Sequence, residues 1–202
     1  MEPVTIIDYG VGNLASLQNA CKYLGIPHRV TAEPEQIENA GKLLLPGVGA
    51  FRPAMQRLEE TGLQEIILAK STNGTPILGI CLGMQLLFST SYEGGTWAGL
   101  NLIPGEVKRF EGVQKIPHMG WNRLYEIRSA PLTEELPDDP YVYFVHSYYC
   151  LPEDLADALA LCEYGQAFCA AVHRGNIWGT QFHPEKSQDV GLVILRNFAE
   201  KV

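Results

Sequence analysis

The chain has 202 residues, 46% of them hydrophobic, enough to bury one sizeable core, so a single domain over residues 1–202 is expected. Fifteen Lys and Arg stand against 23 Asp and Glu, a formal net charge of −8, which argues against nucleic acid or an anionic membrane as a partner. No apolar run approaches the ~20 residues needed to span a bilayer, and Met1-Glu-Pro-Val-Thr-Ile-Ile-Asp8 has neither a charged n-region nor a long apolar h-region, so a cytoplasmic protein is expected.

In chain order, Val4–Asp8 reads as a strand and Asn13 to Leu24 as a helix ended by Gly25. His28–Val30 and Lys42–Leu45 read as strands; the run Leu43-Leu-Leu45 marks the second as buried and parallel. A Pro46-Gly-Val-Gly49 turn follows, then helical patterns over Phe51–Thr61 and Leu63–Thr72. Ile77–Ile80 is a strand that turns sharply at Cys81 into a helix running through Met84 to Phe88, and Ser89–Leu100 reads as a Gly-containing loop. This alternation implies parallel strands with helices on both faces. From Gly105 the pattern changes: Glu106–Phe110, Trp121–Ile127, Tyr141–Ser147, Ala158–Tyr164, Ala167–His173 and Ile177–Phe182 are strand candidates with few helices between. Ser129–Asp139 is an acidic, proline-bearing loop, and Val190–Phe198 a closing helix over the first face. The expected class is α/β: a mixed, mostly parallel sheet flanked by helices, with an antiparallel extension in the C-terminal half.

Gly79 and Gly83 bracket Cys81 two residues to either side, the layout of a nucleophile elbow with Cys in place of Ser. Such a turn needs small neighbours, because strand and helix nearly collide there. It also sets the sulfur at a helix N-terminus, which favours thiolate over thiol. Taken alone, the bracket fits a buried structural cysteine equally well. A base and an orienting acid are available in Thr180-Gln-Phe-His-Pro-Glu-Lys-Ser187. Extended backbone puts His183 and Glu185 on one face, and Pro184 pushes His183 out of the helical region. The carboxylate can then hold one imidazole nitrogen while the other faces the thiol. In the Pro46–Gly49 turn, two glycines free to adopt positive φ can turn amide N–H groups outward. Amides of this turn, with the Leu82 N–H beside the nucleophile, are candidate donors to a tetrahedral oxyanion, although the turn alone also fits an ordinary strand-to-helix connection. The five cysteines form no C-x-x-C pair, so neither a disulfide framework nor a zinc site is expected. Cys21, Cys150, Cys162 and Cys169 read as structural, and no metal or cofactor is expected. No metal-ligand spacing links His28, His118, His146 and His173, which read as structural or interface residues.

The elbow Gly79-Ile-Cys-Leu-Gly-Met-Gln85, the Pro46–Gly49 turn and His183-Pro-Glu185, in that order, resemble the class I (triad) glutamine amidotransferases, with their flavodoxin-like fold. Asp8-Tyr-Gly-Val-Gly-Asn13, Pro117-His-Met-Gly-Trp-Asn122 and Phe144-Val-His-Ser-Tyr-Tyr149 narrow the resemblance to the glutaminase subunits of imidazole glycerol phosphate synthases, from Ile6 to Phe198. The resemblance implies that Cys81, His183 and Glu185 hydrolyse glutamine, with amides at Val48 or Gly49 and at Leu82 holding the oxyanion. It implies that Gln85 lines the glutamine site, that Glu93 meets the substrate α-amino group, and that the Ser147–Tyr148 backbone holds its α-carboxylate. For Gln85 a solvated helix position, and for Glu93 a plain loop charge, remain alternatives, and Ser89-Thr-Ser-Tyr92 stands where a more acidic stretch is usual, which loosens the register of Glu93. It further implies a separate (β/α)₈-barrel cyclase subunit as heterodimer partner, which receives the ammonia. Asn13, Trp121, Asn122, Tyr143 and Lys186 match interface positions, with a buried core role the alternative for Trp121. Rival readings are a glutaminase of another pathway, a free-standing hydrolase, and a non-catalytic scaffold subunit.

Overall fold

The computed structural model describes residues 2–112 and 115–202. The first half is built of parallel units. Strand β1 (Val4–Ile7) is buried on both faces, and helix α1 (Leu14–Tyr23) is capped by Asn13, whose Oδ1 accepts from the Ser16 N–H at 3.4 Å. Leu17, Ala20 and Cys21 are its buried face. Strand β2 (His28–Thr31) follows. A short helix α2 (Pro34–Glu38) opens on a proline, suited to a first helical turn, and has no counterpart among the sequence expectations. Strand β3 (Leu43–Gly47) carries the three leucines, at 0–2% exposure. Helices α3 (Phe51–Glu60) and α4 (Leu63–Thr72) bury Phe51, Ala54 and Leu58, and Leu63 and Ile67, at helical spacings. Strand β4 (Ile77–Cys81) then leads into α5 (Leu82–Leu86).

That helix is shorter than expected. The carbonyls of Leu86, Leu87 and Phe88 accept from the N–H groups of Leu100, Leu102 and Asn101 rather than continuing the helix. Phe88 instead enters strand β5 (Phe88–Ser91), which pairs with the two-residue β6 (Trp97–Ala98) where a plain loop is expected from the sequence. The antiparallel part comprises β7 (Ile103–Arg109), β8 (His118–Tyr125), β9 (Tyr141–His146), β10 (Tyr148–Pro152), β11 (Ala158–Glu163) and β12 (Ala167–Arg174). Its strand β10 is a separate element, where the sequence pattern suggests one strand ending at Ser147. Strand β13 (Ile177–Thr180) and helix α6 (Gln188–Glu200) complete the chain.

The sheet runs β2-β1-β3-β4-β13-β12-β10-β7-β5-β6, with β11, β8 and β9 branching from β12. Strands β2, β1, β3, β4 and β13 are mutually parallel, and β12 turns antiparallel against β13. Helices α1 and α6 cover one face with Leu17, Ile194, Leu195 and Phe198. The other face is covered by α3, α4 and α5, together with Ile37 of α2. Strands β3, β4 and β13 thus end side by side, with Gly47 opposite Cys81 and Thr180 opposite Ile80. The glycine turn, the Cys81 elbow and the His183–Glu185 segment leave the sheet from these ends, where open α/β sheets keep their sites. No helix among the described residues is long and apolar enough to cross a membrane.

Candidate active site

Cys81 is the N-cap of α5 at φ 56°, ψ −109°, a strained conformation for a residue with a side chain. The surrounding glycines explain how it is held. A Cβ on Gly79 would lie 2.7 Å from the Gly83 and Met84 backbone, and one on Gly83 would collide with the Leu45 carbonyl of β3. The elbow is therefore closed on both sides by backbone. Because α5 has only five residues, the helix end offers the sulfur less than a long helix would. One side chain adds a donor: Gln181 Nε2 stands 3.8 Å from Sγ, while the Val145 main-chain carbonyl, which only accepts, lies 3.9 Å away.

The other two triad candidates come from the end of β13. His183 is extended at φ −95°, ψ 98°, and Pro184–Lys186 forms a 3-10 turn rather than continuing the strand. The pairing expected from the sequence is made nonetheless: His183 Nδ1 lies 2.9 Å from Glu185 Oε1, with both side chains at 4% exposure or less. The His183 main chain is pinned by its N–H to the Tyr143 carbonyl at 3.0 Å and by its carbonyl accepting from Ser187 Oγ at 2.6 Å. Burial opposes a charge on the His183 ring, but the Cys81 thiolate and the Glu185 carboxylate outweigh it and push the imidazole up to about 10. Nε2 is buried without a hydrogen-bond partner of full geometry, although its ring is close enough to feel the thiolate. The arrangement favours the imidazolium form of His183.

Around this pair lies a cleft of about 300 Å³. Cys81 and His183 line it, and so do Val48, Gly49 and Leu82, the oxyanion candidates, and Gln85, Glu93, Ser147 and Tyr148, the glutamine-site candidates. Glu185 sits behind His183, beside Asn13, in a smaller cavity. Gly49 has φ +98° and Val48 is 40% exposed, so the glycine turn stands open to the cleft. Gln85 is buried rather than solvated, donating through Nε2 to the Tyr148 carbonyl and to Gln181 Oε1, each at 3.1 Å. Glu93 is more than a loop charge: its Oε2 accepts the Phe51 N–H at 2.7 Å, at the start of α3 where the glycine turn ends.

The interface candidates divide. Trp121 is 47% exposed and so not a core residue, meeting Tyr143 edge-on with ring centres 6.0 Å apart. Exposed Met119 and Tyr141 flank it on β8 and β9, and Lys186 is exposed beside Glu185. Asn122 turns partly inward, donating to the Glu163 carbonyl at 2.8 Å, and Asn13 is occupied in capping α1. All five cysteines are free and buried, and burial pushes the Cys21, Cys162 and Cys169 thiols up to between about 11 and about 12.

Sequence reasoning missed three neighbours of the thiol. Gln181 precedes His183 by two, the spacing that links His183 to Glu185, and that signal was available. Tyr9 Oη donates to the Pro46 carbonyl at 2.8 Å, and its phenol is raised by burial and by the charge of Cys81; no local pattern marks it. His146 lines the cleft through strand pairing that is invisible in the chain order.

The family model for class-I glutamine amidotransferases matches residues 5–202. The chain is 52% identical over 204 residues to the imidazole glycerol phosphate synthase subunit HisH of Syntrophotalea carbinolica, covering 98% of this chain and 99% of that one. It is 50% identical over 202 residues to the HisH subunit of Moorella thermoacetica, covering 100% and 96%. Among solved structures, PurLQS from Thermotoga maritima superposes with a TM-score of 0.78 at 18% identity over 98% of each chain. A crystal structure of a glutamine amidotransferase does so at 0.76 and 20%, over 98% of this chain and 97% of that one. At those identities the structural likeness concerns the fold, whereas the match over residues 5–202 and the near full-length relatives at half identity concern the family. The chain belongs to the class-I glutamine amidotransferase family.

Proposed function

We propose that this chain, as one amidotransferase domain, hydrolyses L-glutamine to glutamate and ammonia through Cys81, His183 and Glu185. It supplies the ammonia to a separate (β/α)₈-barrel cyclase subunit, which forms imidazole glycerol phosphate and AICAR from the N'-ribulosyl-formimino-AICAR nucleotide in histidine biosynthesis, in the cytoplasm. The observation that carries the glutaminase reading is the convergence, on one cleft, of a strained cysteine, an imidazole held at 2.9 Å by a buried carboxylate, and an open glycine turn. The near full-length likeness to HisH subunits carries the choice of partner.

In the first half-reaction the Cys81 thiolate attacks the glutamine side-chain carbonyl carbon. The oxygen takes the negative charge, and amides of Val48 or Gly49 and of Leu82 receive it. The His183 imidazolium gives its proton to the leaving nitrogen, the C–N bond breaks, and ammonia departs from a γ-glutamyl thioester. Neutral His183 then takes a proton from water, hydroxide attacks the thioester, and glutamate leaves with the thiolate–imidazolium pair restored. Glu185 keeps the Nδ1 proton in place and stabilises the imidazolium. Glu93 meets the α-ammonium group, the Ser147–Tyr148 backbone the α-carboxylate, and Gln85 lines the site. The docking face lies around Trp121, Tyr143 and Lys186, with Asn13 and Asn122 at its margin. Exposed Met119 and Tyr141 beside Trp121 add the apolar area an interface core needs.

The test is glutamate release by the chain alone and with a cyclase subunit plus its nucleotide. Strong stimulation by the partner, absent in Cys81→Ala, is the expected result. Full activity without the partner would overturn the coupled reading, and none in either setting would overturn the glutaminase reading.

A further inference from the structure

Two buried histidines have no place in the reaction above. His118 and His146 face each other across β8 and β9 in register, with Nδ1 of His118 3.0 Å from Nε2 of His146. His146 Nδ1 lies 2.7 Å from the Tyr148 carbonyl, and His118 Nε2 lies 3.4 Å from Asn122 Nδ2.

The hydrogens on this chain can be assigned from its ends. A carbonyl only accepts, so His146 Nδ1 carries a hydrogen. Burial pushes His146 down to about 3 and His118 down to about 4, so each ring is neutral near pH 7 and holds one hydrogen. The Nε2 of His146 is then an acceptor, and His118 must donate to it from Nδ1. The Nε2 of His118 is in turn an acceptor. At the outer end the Asn122 amide has one orientation, since its Nδ2 donates to the Glu163 carbonyl at 2.8 Å and its Oδ1 accepts the Arg123 N–H at 2.8 Å. Its Nδ2 therefore presents a donor to His118, as the chain requires. Every bond points the same way, from β8 toward the cleft.

The rings cannot easily leave this register. His118 is stacked between Tyr164 and Phe144, with centroids at 4.0 and 4.7 Å and both pairs 24° from parallel. His146 packs against Phe110 and Phe168, each at 5.3 Å. A pair of satisfied core histidines would account for the packing alone. The inner end of the chain points further. The bond from His146 to the Tyr148 carbonyl spans the break between β9 and β10 and closes a ring over Ser147 and Tyr148. The same carbonyl accepts from Gln85, which also donates to Gln181, which reaches Cys81 Sγ. One acceptor thus ties the carboxylate-holding segment to the nucleophile.

We propose that His118 and His146 are positioning residues of this site, a one-way hydrogen-bond relay that fixes the Ser147–Tyr148 peptide for the substrate α-carboxylate. The inference rests on the glutaminase reading above for its substrate. The relay itself is read first, by ¹⁵N-histidine NMR of the full chain near pH 7. Both rings are expected to be neutral and to carry hydrogen on Nδ1. Hydrogen on Nε2 of either ring, or on both nitrogens, overturns the relay whatever the activity proves to be.

Glutamate release with the cyclase subunit and its nucleotide then reads the consequence. His146→Leu and His118→Phe are expected to raise KM for glutamine by about 10-fold with kcat changed less than about threefold. His118→Asn keeps a nitrogen donor where Nδ1 stands, and its KM should return to within about threefold of the unsubstituted protein. Folded variants with unchanged KM, or a His118→Asn no better than His118→Phe, overturn the positioning role. If His118→Phe does not fold, the tautomers and His118→Asn decide. A protein that releases no glutamate before substitution counts against the functional reading, and the tautomers still stand as the test of the relay.

Discussion

The two turns that flank the cleft leave neighbouring parallel strands at the same level, Gly47 opposite Cys81, yet they are built in opposite ways. At the elbow, Gly79 and Gly83 are hemmed in by backbone, and Cys81 is forced to positive φ. In the glycine turn only the first part is tight: a Cβ on Gly47 would come within 2.8 Å of Tyr9 Oη, whereas one on Gly49 would meet nothing within 4 Å. Tyr9 anchors the Pro46 carbonyl and Gly47 stays paired with Cys81; from Val48 to Ala50 no side chain among the described residues hydrogen-bonds the turn, until Glu93 holds the Phe51 N–H. Cys81 is thus placed by steric necessity, while the turn expected to receive the oxyanion is held by side chains only at its two ends. On this account the triad is ready at all times, and the turn is the part that can respond to substrate or partner.

Substitutions at the two turns should separate these roles. Cys81→Ala has the largest expected effect, a loss of about 10⁴-fold or more in glutamate release with the fold retained. Gly83→Ala should cost about 3 kcal/mol in chemical denaturation, because its methyl meets a strand carbonyl that cannot turn aside. Gly49→Ala should do the reverse. Space exists for the methyl, but φ +98° disfavours it, so kcat should drop about 10²-fold with unfolding shifted by less than about 2 kcal/mol. A Gly49→Ala protein with normal kcat would break the contrast.

Glu185→Gln tests the ion pair by pH. His183 is raised in the folded protein, so its pairing stabilises fully below the ring's unfolded value and is lost as pH rises through about 10. Removing the Glu185 charge lowers His183, and the alkaline limb of kcat/KM should move to lower pH. Tyr9→Phe, which frees the Pro46 carbonyl, is the smallest change, about 1 kcal/mol in stability.

The parallel half was legible in the sequence because its signals are local: three leucines for β3, glycines around Cys81, and proline beside His183. The triad and the cleft-lining candidates came from the same motifs and from a family resemblance. The antiparallel half was harder, since a single residue, Ser147, separates β9 from β10 and the break is marked by the His146 side chain rather than by Gly or Pro. Helix α5 ended early for a similar reason, its last carbonyls being taken by residues 100–102. Tyr9, Gln181 and His118 act through partners 37, 96 and 28 residues away, distances at which no periodicity operates.

The most direct test of the account is to treat the protein with a glutamine analogue that carries an electrophile at the side-chain carbonyl, and to map the adduct by mass spectrometry. The account predicts one adduct, on Cys81, prevented by excess glutamine and absent in Cys81→Ala. An adduct on Cys21, Cys150, Cys162 or Cys169, or continued glutamate release by protein fully blocked at Cys81, would contradict it.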